Sequence, residues 1–589
     1  MSNLPIVSVG KPAEKLLILF WLAFCFLALI YKLGEVPPYH ADENFYVESS
    51  LNMVESGDYL TPIYHGKKRF AKPVLYYWMV VSSYKIFGVS LTSARLPSAL
   101  LGVFSIGLVY FLACRLFDSR VGLFSAFILP SMYLHFQISR WSTTDMALSF
   151  FILLALYFFV LLFQTNFQKS NYAYLFYLCL GLGFMVKGPP AIIIPGLTVL
   201  GFLFATGRKK WITELRIGSG LTILFITILP WFAAMIWMHG EEFKNHILGA
   251  ELKGRLIHDT PFSFYYLGVL FRYQLPWSLF FIFAVLKQFG FLGLAIERGN
   301  SFIEQIKGLG INVGKQTKRL FNKENESVAF CYIWIFVCLI MFMLLRIEHS
   351  RYLLPSCPAI AMLTARIFAS AEKIPGELDE LGFRATFYIT FFILLVFSIL
   401  AGVGILISSL EFSIPFEISL LPVILIAGAA AIFLFSRLRL ASRIVFSLAL
   451  VLTLTFAILS GDTLPFVSRY PMKAFSGYIN QENFKGPITV FRLGSHRARL
   501  GILTGRTVVK LYDPIQVREF LKAGQKFYLI VRETDWLENF SKSGLKIVMQ
   551  DQIGKKTQIN SGEILDVIKI EKLRKLLNST ETIYLMSNK

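Results

Sequence analysis

Residues 144–206 read TDMALSFFILLALYFFVLLFQTNFQKSNYAYLFYLCLGLGFMVKGPPAIIIPGLTVLGFLFAT. Three apolar runs, 144–164, 172–188 and 190–206, follow one another across short polar breaks, and each is long enough to cross or nearly cross about 30 Å of hydrocarbon as a helix. In lipid the backbone must bond to itself, so runs of this length are helices rather than strands. Two charges mark the run ends: Asp145 opens the first and Lys187 closes the second. The stretch decides the fold class, a polytopic α-helical membrane protein.

Outward from it, comparable runs lie near 16–33, 96–116, 120–138, 217–238, 267–290, 328–347, 351–370, 383–408, 418–436 and 442–460, which makes about thirteen transmembrane helices in a chain of 589 residues. With 55% hydrophobic residues the chain carries more apolar surface than a soluble core can bury. The run 16–33 shows no small-residue cleavage site and is expected to be retained. A further stretch, Pro73 to Gly88, is short and interrupted by Lys85, so it is expected as an amphipathic helix in the interface. The six cysteines form no CxxC pair and no His/Cys cluster, so neither a disulfide framework nor a structural zinc is expected.

The formal charge of +21 sits mostly in short segments between the runs. Alternate loops separate by charge, with Arg208, Lys209, Lys210 and Arg216, the basic loop Lys287 to Lys323, and Arg437, Arg439 and Arg443 on one side. Basic loops stay inside, which makes these cytoplasmic along with the N-terminus. An odd number of spans then puts the segment after Gly461 outside. That tail alternates strand-like runs, Ile488–Leu493, Val508–Tyr512 and Phe527–Val531, with helical stretches, and reads as a small α/β domain. The expected organisation is a membrane domain over 1–460, including a first outer loop at 34–95, and a soluble outer domain over 461–589.

This topology gathers Asp42, Asp145, Lys187, Glu348, His349 and Arg351 at the outer ends of spans. Ionisable groups at membrane depth are costly and face partners or wet cavities. Carboxylates and cations together there suit an anionic, lipid-borne substrate. Arg140 and Asp145 are also close enough in sequence to form a structural pair at a span entrance. In the second outer loop His239, His246 and His258 stand near Glu241, Glu242, Glu251 and Asp259, but no two of the histidines are three or four residues apart, so no metal site is expected.

The first outer loop reads Asp42-Glu43-Asn44-Phe45-Tyr46, then Ser56-Gly57-Asp58 with Pro62, then Phe70-Ala71-Lys72-Pro73. Ser93-Ala94-Arg95-Leu96-Pro97, Thr143-Thr144-Asp145, Lys187-Gly188-Pro189, Leu275-Pro276-Trp277 and Arg351-Tyr352-Leu353-Leu354-Pro355 follow in order. This succession resembles the GT-C glycosyltransferases, in particular the lipid A aminoarabinose transferases and the protein O-mannosyltransferases. The resemblance covers essentially the whole chain.

It implies the GT-C fold and transfer of a sugar from a polyprenyl-phosphate donor to lipid A or another envelope acceptor at the periplasmic face of the bacterial inner membrane. It also implies Asp42 and Asp145 as catalytic carboxylates, Lys72, Lys187 and Arg351 as donor-phosphate ligands, and Glu43, Tyr46, Arg140 and His349 as supporting groups. No cofactor is required by such a reaction, no metal ligands are assigned, and participation of a divalent ion stays open. The chain departs from the aminoarabinose branch at Phe45, where that branch commonly has arginine, and at Ala71, where it has glutamate. It also reads Glu348-His349-Ser350-Arg351-Tyr352 where that branch tends to Ser-Lys-Leu-Pro. The donor sugar is therefore open. Two other readings remain: a protein O-mannosyltransferase, which needs a peptide groove outside, and a lipid-sugar transporter or flippase, which predicts charges in mid-span and broken helices.

Overall fold

The protein is described from a computed structural model over residues 12–36, 41–247, 249, 264–291, 313–345, 348–410, 413–468, 472–554 and 580–588. His258 and the greater part of the basic loop 287–323 lie outside these residues. Each apolar run builds a helix or a bent pair of helices. Among the described residues nine helices are long and apolar enough to cross a membrane, or eleven if each of two bent pairs counts as one span.

The runs 120–138 and 267–290, each read from the sequence as one span, fold as bent pairs of helices. Ser119–Ser131 and Tyr133–Ser139 meet at 65°, and Tyr265–Arg272 and Trp277–Gln288 at 113°. Pro130 and Pro276 stand at these breaks; proline lacks the N–H the helix needs and its ring collides with the preceding turn. The remaining two runs are shorter. Ser170–Lys187 begins with polar Asn171 and Tyr172 and ends on Lys187, and Pro190–Ala205 has 16 residues. At 1.5 Å per residue the latter reaches about 24 Å, less than a full crossing.

The core of the bundle is Thr144–Gln164 with Cys357–Lys373, whose side chains are buried almost throughout. Leu381–Ser409 lies at the periphery and exposes Phe392, Phe397, Leu400 and Leu406. Apolar side chains on an outer surface of a protein this hydrophobic face lipid. Close approach depends on small residues: a Cβ on Gly220 would fall 2.0 Å from the Tyr177 ring, so this glycine lets the helix Ile217–Asn245 lie against Ser170–Lys187.

The first outer loop folds as a helix Ala41–Ser56, a two-stranded ladder of Ile63–Tyr64 with Lys67–Lys68, and a helix Leu75–Phe87. The ladder turns on His65 and Gly66, both at positive φ, which is the geometry of a tight two-residue hairpin. Leu75–Phe87 buries Tyr76, Tyr77, Val80, Val81 and Tyr84 and exposes Trp78, Ile86 and Phe87.

Beyond the last apolar helix, Ala441–Ile458, the chain forms a five-stranded sheet in the order Val509–Leu511, Ile488–Phe491, Tyr528–Arg532, Thr580–Ser587, Lys546–Gly554. The first three strands are parallel and the last two pair antiparallel. Side chains alternate to two apolar layers, Val490, Ile530 and Leu585 on one face and Phe491, Val531 and Met586 on the other. Three strands match the runs read from the sequence; the two C-terminal strands were not anticipated.

Candidate active site

Asp145 lies in the first turn of Thr144–Gln164 and Lys187 is the last residue of the antiparallel neighbour Ser170–Lys187. A carboxylate at a helix N-terminus and an ammonium at a C-terminus are each favoured by the helix dipole, so the two ends that meet here carry the charges they prefer. Lys187 Nζ donates to Asp145 Oδ1. Arg351, in the turn Ser350–Ser356, reaches Asp145 Oδ2 with Nε at 3.3 Å. Its Nη2 donates to Asp42 Oδ2 at 2.6 Å. Arg351 thus bridges the two carboxylates, joining residues from four helical elements into one charged cluster.

The cluster is asymmetric in exposure. The side chains of Asp145, Lys187 and Arg351 are 4%, 8% and 6% exposed, whereas that of Asp42 is 37% exposed. Asp42 sits in the first turn of Ala41–Ser56 and is the carboxylate an incoming group can reach. The Tyr352 ring packs 4.4 Å from Lys187 Nζ, a cation–π contact that holds the ammonium without using a proton.

A cavity of about 30 Å³ opens among Asp145, Lys187, Arg351, Tyr352 and Leu345. Leu345 is also at the end of a much larger apolar groove, about 1040 Å³, between Pro190–Ala205 and Glu326–Leu345, walled by Leu197, Phe204, Ile333, Phe336 and Ile340. Leu345 is the wall residue that the small charged cavity and the apolar groove have in common.

The other expected residues are placed differently. Glu43 is fully buried in a bidentate pair with Arg95, at 2.6 and 2.9 Å, and accepts the Ser142 backbone N–H at 2.9 Å. Arg95 spends its remaining nitrogen on the carbonyls of Leu33 and Val36. This pair locks the loop to the bundle and commits both Glu43 carboxylate oxygens to hydrogen bonds. The pair between Arg140 and Asp145 that the sequence allowed does not form; Arg140 Nη1 instead donates to the carbonyls of Ala28 and Leu29, at the C-terminal end of the first helix. Tyr46 is buried one turn after Asp42, 3.5 Å from Thr144 Oγ1 and edge-on to Tyr76. Burial pushes its phenol well above the usual tyrosine range, which keeps the hydroxyl neutral. Lys72 is half-buried in the segment leading to Leu75–Phe87, and His349 packs its ring against Tyr352 with centroids 5.2 Å apart.

Arg69 was missed by the sequence reading. Its guanidinium lies 3.7 Å from the centroid of the Phe45 ring, among Tyr77, Tyr46 and Asp42. Where the resemblance leads one to expect an arginine, the aromatic ring carries a guanidinium from another segment. The signal was its position directly before Phe70-Ala71-Lys72-Pro73. In the second outer loop His239 hydrogen-bonds Thr61 Oγ1 at 2.9 Å and His246 packs on Phe70, so both serve the loop's packing. Among the described residues no group of three or more His, Cys, Asp or Glu is arranged to hold a metal ion.

The family described as Dolichyl-phosphate-mannose-protein mannosyltransferase matches residues 71–237. An uncharacterised protein of Aquifex aeolicus is 29% identical over 340 residues, 57% of this chain and 60% of that protein. Undecaprenyl phosphate-alpha-4-amino-4-deoxy-L-arabinose arabinosyl transferase 2 of Pseudomonas fluorescens is 27% identical over 367 residues, 59% of each chain. The chain therefore spans about three fifths of the length of the curated relatives it matches. The crystal structure of ArnT from Cupriavidus metallidurans bound to undecaprenyl phosphate superposes with a TM-score of 0.68 at 20% identity, covering 91% of this chain and 97% of that one.

Proposed function

We propose that this chain, a multi-pass membrane protein with the GT-C fold and a sequence similar to the aminoarabinose transferases and protein mannosyltransferases, is a glycosyltransferase using a polyprenyl-phosphate-linked sugar. Its acceptor is lipid A or a related envelope glycan, and its site faces the periplasm. The observation that carries this reading is a cavity lined by Lys187 and Arg351 beside a long apolar groove, the two sharing Leu345 as a wall residue. A polyprenyl tail fits a long apolar trough, and a phosphate at its head fits Lys187 and Arg351. The carrier that such a donor leaves behind, undecaprenyl phosphate, is the ligand in the ArnT crystal structure.

The reaction is a single displacement. The acceptor oxygen attacks the anomeric carbon as the bond to the carrier phosphate oxygen breaks, which inverts configuration. The leaving phosphate gains charge that Lys187, Arg351 and Lys72 neutralise. Asp42, partly exposed beside Arg351, takes the proton of a hydroxyl acceptor or orients an acceptor that is already ionised, such as a phosphate monoester. Asp145 is too enclosed to touch the acceptor and acts by holding the two cations. No nucleotide or redox cofactor enters this balance.

The match to the mannosyltransferase family favours one second reading, transfer to a protein hydroxyl. Mass spectrometry of lipid A and of secreted proteins from a deletion strain, complemented with wild type or Asp42→Asn, separates the two. Loss of a sugar from lipid A, restored by wild type alone, is the expected result. Full restoration by Asp42→Asn would remove Asp42 from the chemistry.

A further inference from the structure

Arg140 belongs to no part of the charged cluster, yet it is 4% exposed. Its Nη1 caps the first helix, while Nη2 is buried and has no hydrogen-bond partner among the described residues. A guanidinium removed from water with an uncommitted nitrogen is costly unless a ligand completes it. Burial, then repulsion from Arg95, pushes its pKa down to about 10, and the Asp462 charge opposes this only in part. Asp462 Oδ1 is held by Lys32 while its Oδ2 is buried without a hydrogen-bond partner among the described residues, and Glu43 is committed to Arg95, so neither carboxylate hydrogen-bonds Arg140.

Arg140 lines a pocket of about 240 Å³ between the bent helix pair, the outer end of the first helix and the chain beyond the last apolar helix. Its wall carries hydrogen-bonding groups: Tyr133, Gln137, Trp141, Ser460 and Thr463. Thr463 Oγ1 is a second buried atom with no partner among the described residues. The wall is shaped by a π-helical turn, Leu459–Thr463, that interrupts regular helix at this point, and single π-turns mark functional sites more often than chance. At the mouth Leu459 and Leu464 are exposed by 38% and 37%. The pocket shares no wall residue with the cavity at Lys187 and Arg351. It stands behind the pair of Arg95 with Glu43, the residue next to Asp42.

From this arrangement we infer that the pocket is a second lipid site, seating the anionic phosphate headgroup of a membrane lipid on Arg140 Nη2 with hydrogen bonds from Thr463 and its neighbours. The acyl chains lie along the exposed leucines at the mouth. An oxyanion satisfies the uncommitted nitrogen and the free hydroxyl at once. The inference depends on membrane placement and not on the transfer chemistry, so the two can fail separately.

The test uses the full chain, purified in detergent and stripped of lipid. It is titrated with phosphatidylglycerol, with phosphatidylcholine and with inorganic phosphate, and retained ligand is read by native mass spectrometry. We expect one tightly retained phosphatidylglycerol that Arg140→Gln weakens tenfold or more. Arg140→Gln also removes the helix cap, so the double variant Gln137→Leu/Thr463→Val, which leaves the cap intact, is the second probe; it weakens retention at least threefold. Lys187→Met keeps the lipid. Unchanged retention in both pocket variants overturns the site, as does equal retention of phosphatidylcholine. Free phosphate binding as tightly as the lipid overturns the lipid assignment, and loss of the lipid in Lys187→Met would move it to the charged cluster.

Discussion

Asp42 and Glu43 are adjacent, both acidic and both in the first turn of one helix, yet one is partly exposed beside Arg351 and the other is buried against Arg95. We expect Asp42→Asn to lose at least about a hundredfold in transfer rate, the range of a positioned general base, with an unchanged thermal midpoint. Glu43→Gln should do the reverse: it leaves Arg95 buried without its counter-charge, at a cost of about 3–5 kcal/mol. Transfer assays and thermal unfolding of the two purified variants check this; a Glu43→Gln protein of native stability and no activity would reverse the assignment. Arg69→Leu removes the cation over Phe45, and a donor KM raised about tenfold is expected, the worth of one charge-assisted contact. The sequence showed which residue types converge but not their partners. Arg95 lies 52 positions from Glu43 and Arg69 lies 24 from Phe45, and no local spacing encodes contacts made by folding a loop back on a bundle.

At the level of elements, apolar periodicity located the helices because lipid leaves the backbone no other solution. It did not give their bends, since the runs around Pro130 and Pro276 are apolar enough on average to read as single spans. Elements also carry two predictions. The groove between Pro190–Ala205 and Glu326–Leu345 has no polar function of its own, so Ile340→Trp, which fills it, should raise the KM for a long-chain donor and spare a short-chain analogue. A steady-state comparison of the two donors reads this, and equal effects would place the tail elsewhere.

The hairpin at His65 and Gly66 gives a pH response. Burial first, then the charges of Arg497 and Lys510, lowers the His65 pKa from 6.5 to about 4, although Glu48 stands 3.7 Å away. Glu48 accepts the His65 backbone N–H and pairs with Arg497, and burial raises its own pKa. Between pH 6.5 and 4 the unfolded chain holds the histidine proton and the folded one does not, so this contribution falls as pH drops through that window. Glu48 contributes the opposite slope. His65→Phe should flatten the loss of unfolding free energy between pH 6.5 and 4, by about 2 kcal/mol given the partial exposure of the ring. An unchanged pH profile in His65→Phe would assign the loss to other groups.

For the whole molecule, the C-terminal sheet is not a separate appendage. Its helix Gly494–Thr504 packs on Ala41–Ser56, the helix that carries Asp42; Arg497 pairs with Glu48 at 3.1 Å, and Thr507 donates to Glu55. The sequence revealed the strands by their alternation but not this docking, because the contacts join residues more than 400 apart. Both bodies must therefore lie on one side of the membrane, which turns the charge argument for sidedness into a single experiment. The six native cysteines are all buried, so an impermeant maleimide meets none of them in the folded protein. A cysteine at exposed Lys522, beside the sheet, should be labelled in cells whose outer membrane alone is permeabilised. One at exposed Lys210, in a basic loop at the other end of the bundle, should be labelled only after the inner membrane is opened. The reverse pattern would put Asp42 on the cytoplasmic side, where a periplasmic acceptor cannot reach it.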